Sequence, residues 1–167
     1  MNNQEIWEAI KSDRTIRQQL SYLDFSWFFH LMLHNYIKYE TAPFQMNMMR
    51  IAQDPNIKIA VITSFRGSAK STIYTLALPL WAIFGIFQYK YVAIICQNQA
   101  RAQQTLMNIR RELEDNKLLI SDIGPFVDKS NVWNNDTIEL TRFGARISVF
   151  SVNESIRSLR YRESRPQ

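Results

Sequence analysis

The chain has 167 residues, 46% hydrophobic and 13% aromatic, enough apolar side chain to bury a core, which excludes general disorder and fits one domain with at most a small appendage. Its single cysteine, Cys96, excludes an internal disulfide framework and a multi-cysteine zinc site and suits a reducing compartment. The formal net charge is +5, of which +4 lies from Arg142 onward, where six arginines, no lysine and only Glu154 and Glu163 occur; guanidinium groups there point to phosphate or carboxylate partners, against the plainer alternative of a solvated basic end.

Met1 to Arg17 is polar and carries both charge signs, so no secretory leader is expected. Residues 3–53 read as helical. An aromatic stretch, Phe25 to Tyr39, could be capped by Asp24 or Ser26, and Pro43 suits the first turn of a helix running to about Gln53. His30 and His34 are spaced i, i+4, but no glutamate or nearby cysteine completes a metal set, so helix packing is the expected role. Asp54-Pro55-Asn56 marks a turn.

Ile57-Lys58-Ile59-Ala60-Val61-Ile62 is a short β-branched run, predicted as a buried strand. A loop, Thr63 to Ala69, leads into an apolar helix from Lys70, which Pro79 should kink or break. Ser71 to Tyr89 contains no charged residue; Ser71, Thr72, Tyr74, Thr75, Pro79, Gly85 and Gln88 make it a buried helix rather than a bilayer span. Tyr91–Cys96 reads as a second buried strand, with Cys96 packed at its end. Gln99 to about Asn116 reads as an amphipathic helix with Ala102, Leu106, Ile109 and Leu113 on one face. Strand, helix, strand, helix over residues 57–116 implies a parallel sheet with helical crossovers. Thr137 to Arg142 and Ala145 to Val152 alternate around Phe143-Gly144, a hairpin pattern. The predicted architecture is α/β, with an N-terminal helical lead (1–56), a parallel-sheet core (57–167) and a β-hairpin near the C-terminus.

The segment Ser64-Phe65-Arg66-Gly67-Ser68-Ala69-Lys70-Ser71-Thr72 lies between the predicted strand and the apolar helix, the setting of a phosphate-binding loop. A helix N-terminus offers free N–H groups and the positive end of a dipole. Lys70 can reach β- and γ-phosphates, Ser71 can place a hydroxyl on Mg²⁺, and Thr72 can support the loop. The pattern G-x-x-x-x-G-K-[ST] is met only in its small residues: Ser64 and Ala69 stand at the two glycine positions, and Gly67 lies between them. Ala69 must therefore adopt backbone angles that favour glycine. An ordinary capped strand-to-helix turn is the alternative.

Phe65-Arg66-Gly67-Ser68-Ala69-Lys70-Ser71-Thr72 resembles the deviant Walker A segment of tailed-phage terminase large subunits, the ATPase motors that pump DNA into procapsids. In that family an arginine precedes the glycine, and some branches place alanine before the lysine. Pro43-Phe44-Gln45 resembles the family's adenine-contacting motif. Ile94-Ile95-Cys96-Gln97-Asn98-Gln99-Ala100 resembles the segment after its second strand, and Ser158-Leu159-Arg160-Tyr161-Arg162-Glu163-Ser164-Arg165-Pro166 the arginine-rich stretch before its Walker B strand. The loop is the most specific of the four. The resemblance implies a P-loop NTPase fold that binds ATP and Mg²⁺. Ser64 to Thr72 would form the nucleotide site, Lys70 would hold the β/γ-phosphates, Ser71 the Mg²⁺, Arg66 the γ-phosphate and Gln45 the adenine edge. Arg157, Arg160 or Arg162 would act across a subunit boundary in a homo-oligomeric ring. It further implies double-stranded DNA, portal protein and the terminase small subunit as partners, in the cytoplasm of an infected host.

In that family an apolar strand ending in paired acids follows. The sequence reaches Gln167 before such a run, so the expectation is an incomplete ATPase domain, without the Walker B acids or the nuclease domain, that binds nucleotide and hydrolyses it poorly. Two other readings stand beside it. A helicase-like P-loop ATPase shares the glutamine ahead of the loop, whereas the loop arginine favours the terminase. A non-catalytic DNA-binding or assembly fragment would use the arginine-rich end and helical lead for docking, indifferent to Lys70.

Overall fold

In the computed structural model the described residues are 3–127, 132–154 and 159–166. Two compact units divide after Trp81: Met1–Trp81 and Ala82–Gln167. Residues 64–72 and the start of the helix that follows lie in the first of these units.

The first unit opens with α1 (Asn3–Ser12), α2 (Arg14–Leu23), α3 (Phe25–Met32) and α4 (Pro43–Gln53). Each break has a local cause. Asp13 accepts the Ile16 N–H and so caps α2. Asp24 is extended, ends α2 and caps α3 by accepting the Trp27 N–H at 3.0 Å, so it fills the cap that either Asp24 or Ser26 could have taken. Pro43 sits at the start of α4, where a missing N–H costs nothing. Phe25, Phe28, Met32, Leu33, Met49 and Trp81 are fully buried. The Trp81 Nε1–H reaches the Ser21 carbonyl at 2.9 Å, and its ring lies 5.3 Å from that of Phe25. One polar group of a large apolar residue is thereby satisfied inside the core.

After α4 the structure departs from the sequence pattern. Residues 57–65 form no strand. Ile59 and Val61 are 87% and 85% exposed. Among the described residues, no backbone hydrogen bond involves Lys58, Ile59, Ala60, Val61 or Ile62, whose segment is entered by the Ile57 N–H bonding the Asp54 carbonyl. The β-branched run supplies strand propensity, but a strand exists only when a neighbour takes its N–H and C=O groups. No described neighbour does, so the expected buried strand is corrected to an exposed segment outside the sheet.

Helical structure resumes at Lys70 and continues to residue 84. Thr72–Ala77 is π-helical and α5 (Leu78–Phe84) follows, with the Leu78 N–H bonded to the Ile73 carbonyl. Pro79, which has no N–H to donate, therefore follows a wider turn instead of breaking the helix, a known way of absorbing a mid-helix irregularity. No helix among the described residues is long and apolar enough to cross a membrane.

The second unit is mixed α/β. Its sheet has the order β1 (Tyr91–Cys96), β3 (Ala145–Ser151), β2 (Thr137–Leu140). β1 and β3 run parallel with Ile94 opposite Val149, while β2 and β3 are antiparallel with Ile138 opposite Ile147. The hairpin turn uses Gly144 at φ 58°, the left-handed conformation that glycine adopts without strain. The sheet is thus mixed, and the parallel pair joins β1 to the hairpin rather than to residues 57–62. α6 (Gln99–Asp115) packs on β3 and β1. Its buried residues are Ala102, Leu106, Ile109 and Leu113, the face read from the sequence. α7 (Lys117–Asp122) follows directly, capped by Asn116.

Candidate functional site

The segment from Ser64 to Thr72 forms a tight loop running into a helix start. Gly67 has φ 88° and Ala69 φ 62°. Two positive-φ residues with a single residue between them turn the chain sharply ahead of the helix. Ala69 does adopt the glycine-like conformation that the loop pattern requires, at the strain cost of a Cβ there. The Ser68 N–H bonds the Phe65 carbonyl at 3.4 Å, and the helix's first bond runs from the Ile73 N–H to the Ala69 carbonyl at 3.0 Å. Among the described residues, the backbone N–H groups of Gly67, Ala69, Lys70 and Ser71 have no acceptor. Those of Ala69, Lys70 and Ser71 are the orphan donors of a helix N-terminus, and that of Gly67 belongs to the loop before it.

The side chains divide into those that build the loop and those free to act. Ser68 is 2% exposed. Its Oγ lies 2.7 Å from Ser64 Oγ, and its carbonyl accepts the Gln45 Nε2–H at 3.1 Å. Gln45 Oε1 also accepts the Ala42 N–H at 2.9 Å, closing the first turn of α4. Phe65 is exposed and its ring sits 5.5 Å from that of Phe44, a contact the sequence reading did not single out. By contrast, neither Arg66 nor Lys70 has a hydrogen bond or ion pair among the described residues. Arg66 is exposed, Lys70 half-buried, Ser71 exposed and Thr72 half-buried at the start of the π-helical stretch.

Lys70 and Ser71 line a groove of about 480 Å³ together with Lys58, Ala60, Ile62 and Tyr74. Lys58 donates to the Pro55 carbonyl at 2.9 Å, and Tyr74 donates to the Met48 carbonyl at 2.8 Å. Burial holds the Tyr74 phenol above its ordinary value, so it stays a neutral donor. The groove's polar chemistry is cationic and hydroxylic, with no acidic side chain among its lining residues. Such a set can hold an anion such as a phosphate chain. It offers a metal ion one hydroxyl, Ser71, and among the described residues no cluster of three histidine, cysteine or acidic side chains occurs.

The remaining sequence candidates lie elsewhere. His30 has both ring nitrogens engaged, Nδ1 with the Ser26 carbonyl and Nε2 with Thr41 Oγ1 at 2.8 Å, and His34 faces the Leu31 carbonyl from a separate short helix. Cys96 is half-buried with Sγ 3.8 Å from Thr105 Oγ1. In the second unit Arg146 pairs with Glu139 and stacks 4.4 Å over the Tyr161 ring, whose centroid lies 5.4 Å from Arg162. Arg142 donates to the Ile123 and Gly124 carbonyls. Arg160, Arg162 and Arg165 are exposed; Arg157 lies outside the described residues. No protein-family model, curated protein or solved structure matches the chain.

Proposed function

We propose that this chain binds the triphosphate of a nucleotide through the loop 64–72, as the N-terminal ATPase part of a viral DNA-packaging motor of the terminase large-subunit kind. The observation that carries the reading is the pair of left-handed residues, Gly67 and Ala69, immediately before a helix start whose N–H groups have no acceptor among the described residues. An alanine is strained in that conformation, and the strain is retained where it serves to aim donors. Lys70 would supply charge to the β- and γ-phosphate oxygens, and the Ser71 hydroxyl is the group that would hold a Mg²⁺ bound with the nucleotide. A Mg²⁺ held there would supply charge neutralisation for the phosphate chain. Arg66, exposed and without a described partner, is the residue available to the γ-phosphate.

The P-loop NTPase fold, the use of ATP, the ring assembly, the partners (double-stranded DNA, portal protein, small subunit) and work in the host cytoplasm all rest on the resemblance of the loop. The family resembled uses a carboxylate to activate water, and none lines the groove beside Ser71. The expected behaviour is therefore binding with little turnover. Mg-ATP binding measured by calorimetry, with phosphate release followed in the same sample, tests this. Lys70→Ala should abolish binding while leaving the fold's circular dichroism unchanged. Equal binding by both proteins would sink the phosphate-loop reading. Rapid release by the wild-type chain would sink the binding-without-turnover part.

A further inference from the structure

The loop departs from the glycine pattern at both ends, and the structure shows what stands in for the missing glycines. Ser64 and Ser68 are joined hydroxyl to hydroxyl at 2.7 Å, a link glycine cannot make. The Ser68 carbonyl belongs to the same rigid peptide plane as the Ala69 N–H, and in a trans peptide the two point in opposite directions. Gln45 Nε2–H holds that carbonyl toward α4 at 3.1 Å. The Ala69 N–H is thereby turned away from α4, and it is one of the donors without an acceptor among the described residues. Meanwhile Gln45 Oε1 is held by the Ala42 N–H at 2.9 Å, so both ends of this amide are engaged within the protein.

We propose that Gln45 is a positioning residue: by holding the Ser68 carbonyl it aims the Ala69 N–H and keeps Ala69 left-handed, with the Ser64 hydroxyl as second tether, rather than reading the base. The proposal rests on the phosphate-binding reading of the loop. Its consequence is that affinity for the phosphate chain depends on Gln45 and preference among bases does not.

The test uses the full chain, as wild type, Gln45→Ala, Gln45→Glu and Ser64→Ala, with ATP, GTP and inorganic tripolyphosphate, each with Mg²⁺. Gln45→Glu keeps an oxygen for the Ala42 N–H but loses the donor to Ser68, which separates the clamp from the helix cap. The glutamine variants should weaken all three ligands by the same factor, roughly three- to tenfold for one hydrogen bond, with the ATP-to-GTP ratio unchanged. In the absence of ligand, limited trypsin cleavage after Arg66 and Lys70 should quicken in Gln45→Glu and Ser64→Ala, while cleavage after Lys11 stays at the wild-type rate. A loss confined to ATP, with tripolyphosphate unaffected, would overturn the proposal and make Gln45 a base reader. Unchanged cleavage after Arg66 would also overturn it. If the wild type bound none of the ligands, the phosphate-binding reading would fail, while the cleavage pattern would still decide the clamp.

Discussion

Asp24 ties three segments together with one carboxylate. It ends α2, caps α3 through the Trp27 N–H, and receives the Gln53 Nε2–H of α4 at 3.1 Å. Burial pushes this carboxyl up, but hydrogen bonds from Ser26, the Trp27 N–H and Gln53 outweigh it and leave it below its ordinary value of 3.8. A carboxyl lowered on folding stabilises the fold fully above its ordinary value and stops doing so as pH falls through the lowered one. Stability should therefore fall as the solution is acidified below about pH 4. Asp24→Asn should flatten that acid limb, and Asp24→Ala should cost about 1–2 kcal/mol at neutral pH through the lost cap. Urea unfolding at several pH values checks both; an acid limb identical in Asp24→Asn would show that other carboxylates carry it. At Ala69 the opposite substitution is favourable. With φ at 62°, Ala69→Gly relieves strain of about 1 kcal/mol, partly offset by the greater freedom of an unfolded glycine. It should leave the urea midpoint at or above wild type and keep nucleotide binding, whereas Ala69→Val should lower both. A clear drop for Ala69→Gly would mean that the methyl group has a packing role the backbone angle does not reveal.

At the scale of elements, segments that are stable by their own pattern were legible and those that depend on distant partners were not. Pro43 as a helix start, the span of β1 from Tyr91 to Cys96 and the buried face Ala102, Leu106, Ile109 and Leu113 each follow from local chemistry and appear with those residues, but β1 is buried only at Tyr91 and Val92, with Ile95 exposed, where a fully buried strand was expected. The hairpin around Gly144 was legible for the same reason. Residues 57–62 have strand chemistry too, yet a β-branched run cannot say who pairs with it, and here no described residue does. The wider turn before Pro79 was likewise out of reach, because a proline signals a disrupted helix without saying how the helix recovers. In the site, the loop was legible as small residues before Lys70 and Ser71. The Gln45–Ser68–Ser64 linkage was not, since it joins residues 23 positions apart by side-chain geometry alone. The exposed segment has a consequence of its own: an apolar run with unpaired N–H and C=O groups invites pairing with another chain. Val61, 85% exposed, should accept lysine with a stability change within about 0.5 kcal/mol. Val61→Lys should also reduce concentration-dependent light scattering. A marked loss of stability instead would mean that this segment is covered in solution.

For the molecule as a whole, the net charge of +5 is carried in two chemically different settings, one in each compact unit, and the proposed nucleotide and DNA contacts fall one to each. The first unit has backbone N–H groups at Ala69, Lys70 and Ser71 without an acceptor among the described residues, the setting in which the proposed phosphate chain would be held by geometry. The second carries its charge on arginines, and these are not equivalent. Arg142 and Arg146 are engaged by carbonyls and by Glu139, so they are committed to the fold. Arg160 and Arg165 are exposed and have no partner among the described residues, so they are the ones that would meet a long polyanion, in binding that would be salt-dependent and sequence-independent. The two functions should therefore separate in the intact chain. Replacing Arg160 and Arg165 together with alanine should weaken retention of double-stranded DNA and reduce the slope of log affinity against log salt by about 2, since each phosphate left without its arginine lowers the slope by about 0.9. Mg-ATP binding should not change. Lys70→Ala should do the reverse, losing nucleotide and keeping the DNA slope. Arg146→Ala differs from both, because it removes an ion pair and the stacking on Tyr161 and should lower the unfolding midpoint. If the chain binds DNA with the expected salt slope while neither it nor Lys70→Ala takes up nucleotide, the docking reading replaces the ATPase one, since the arginines would then be the working surface and the loop only a strained turn.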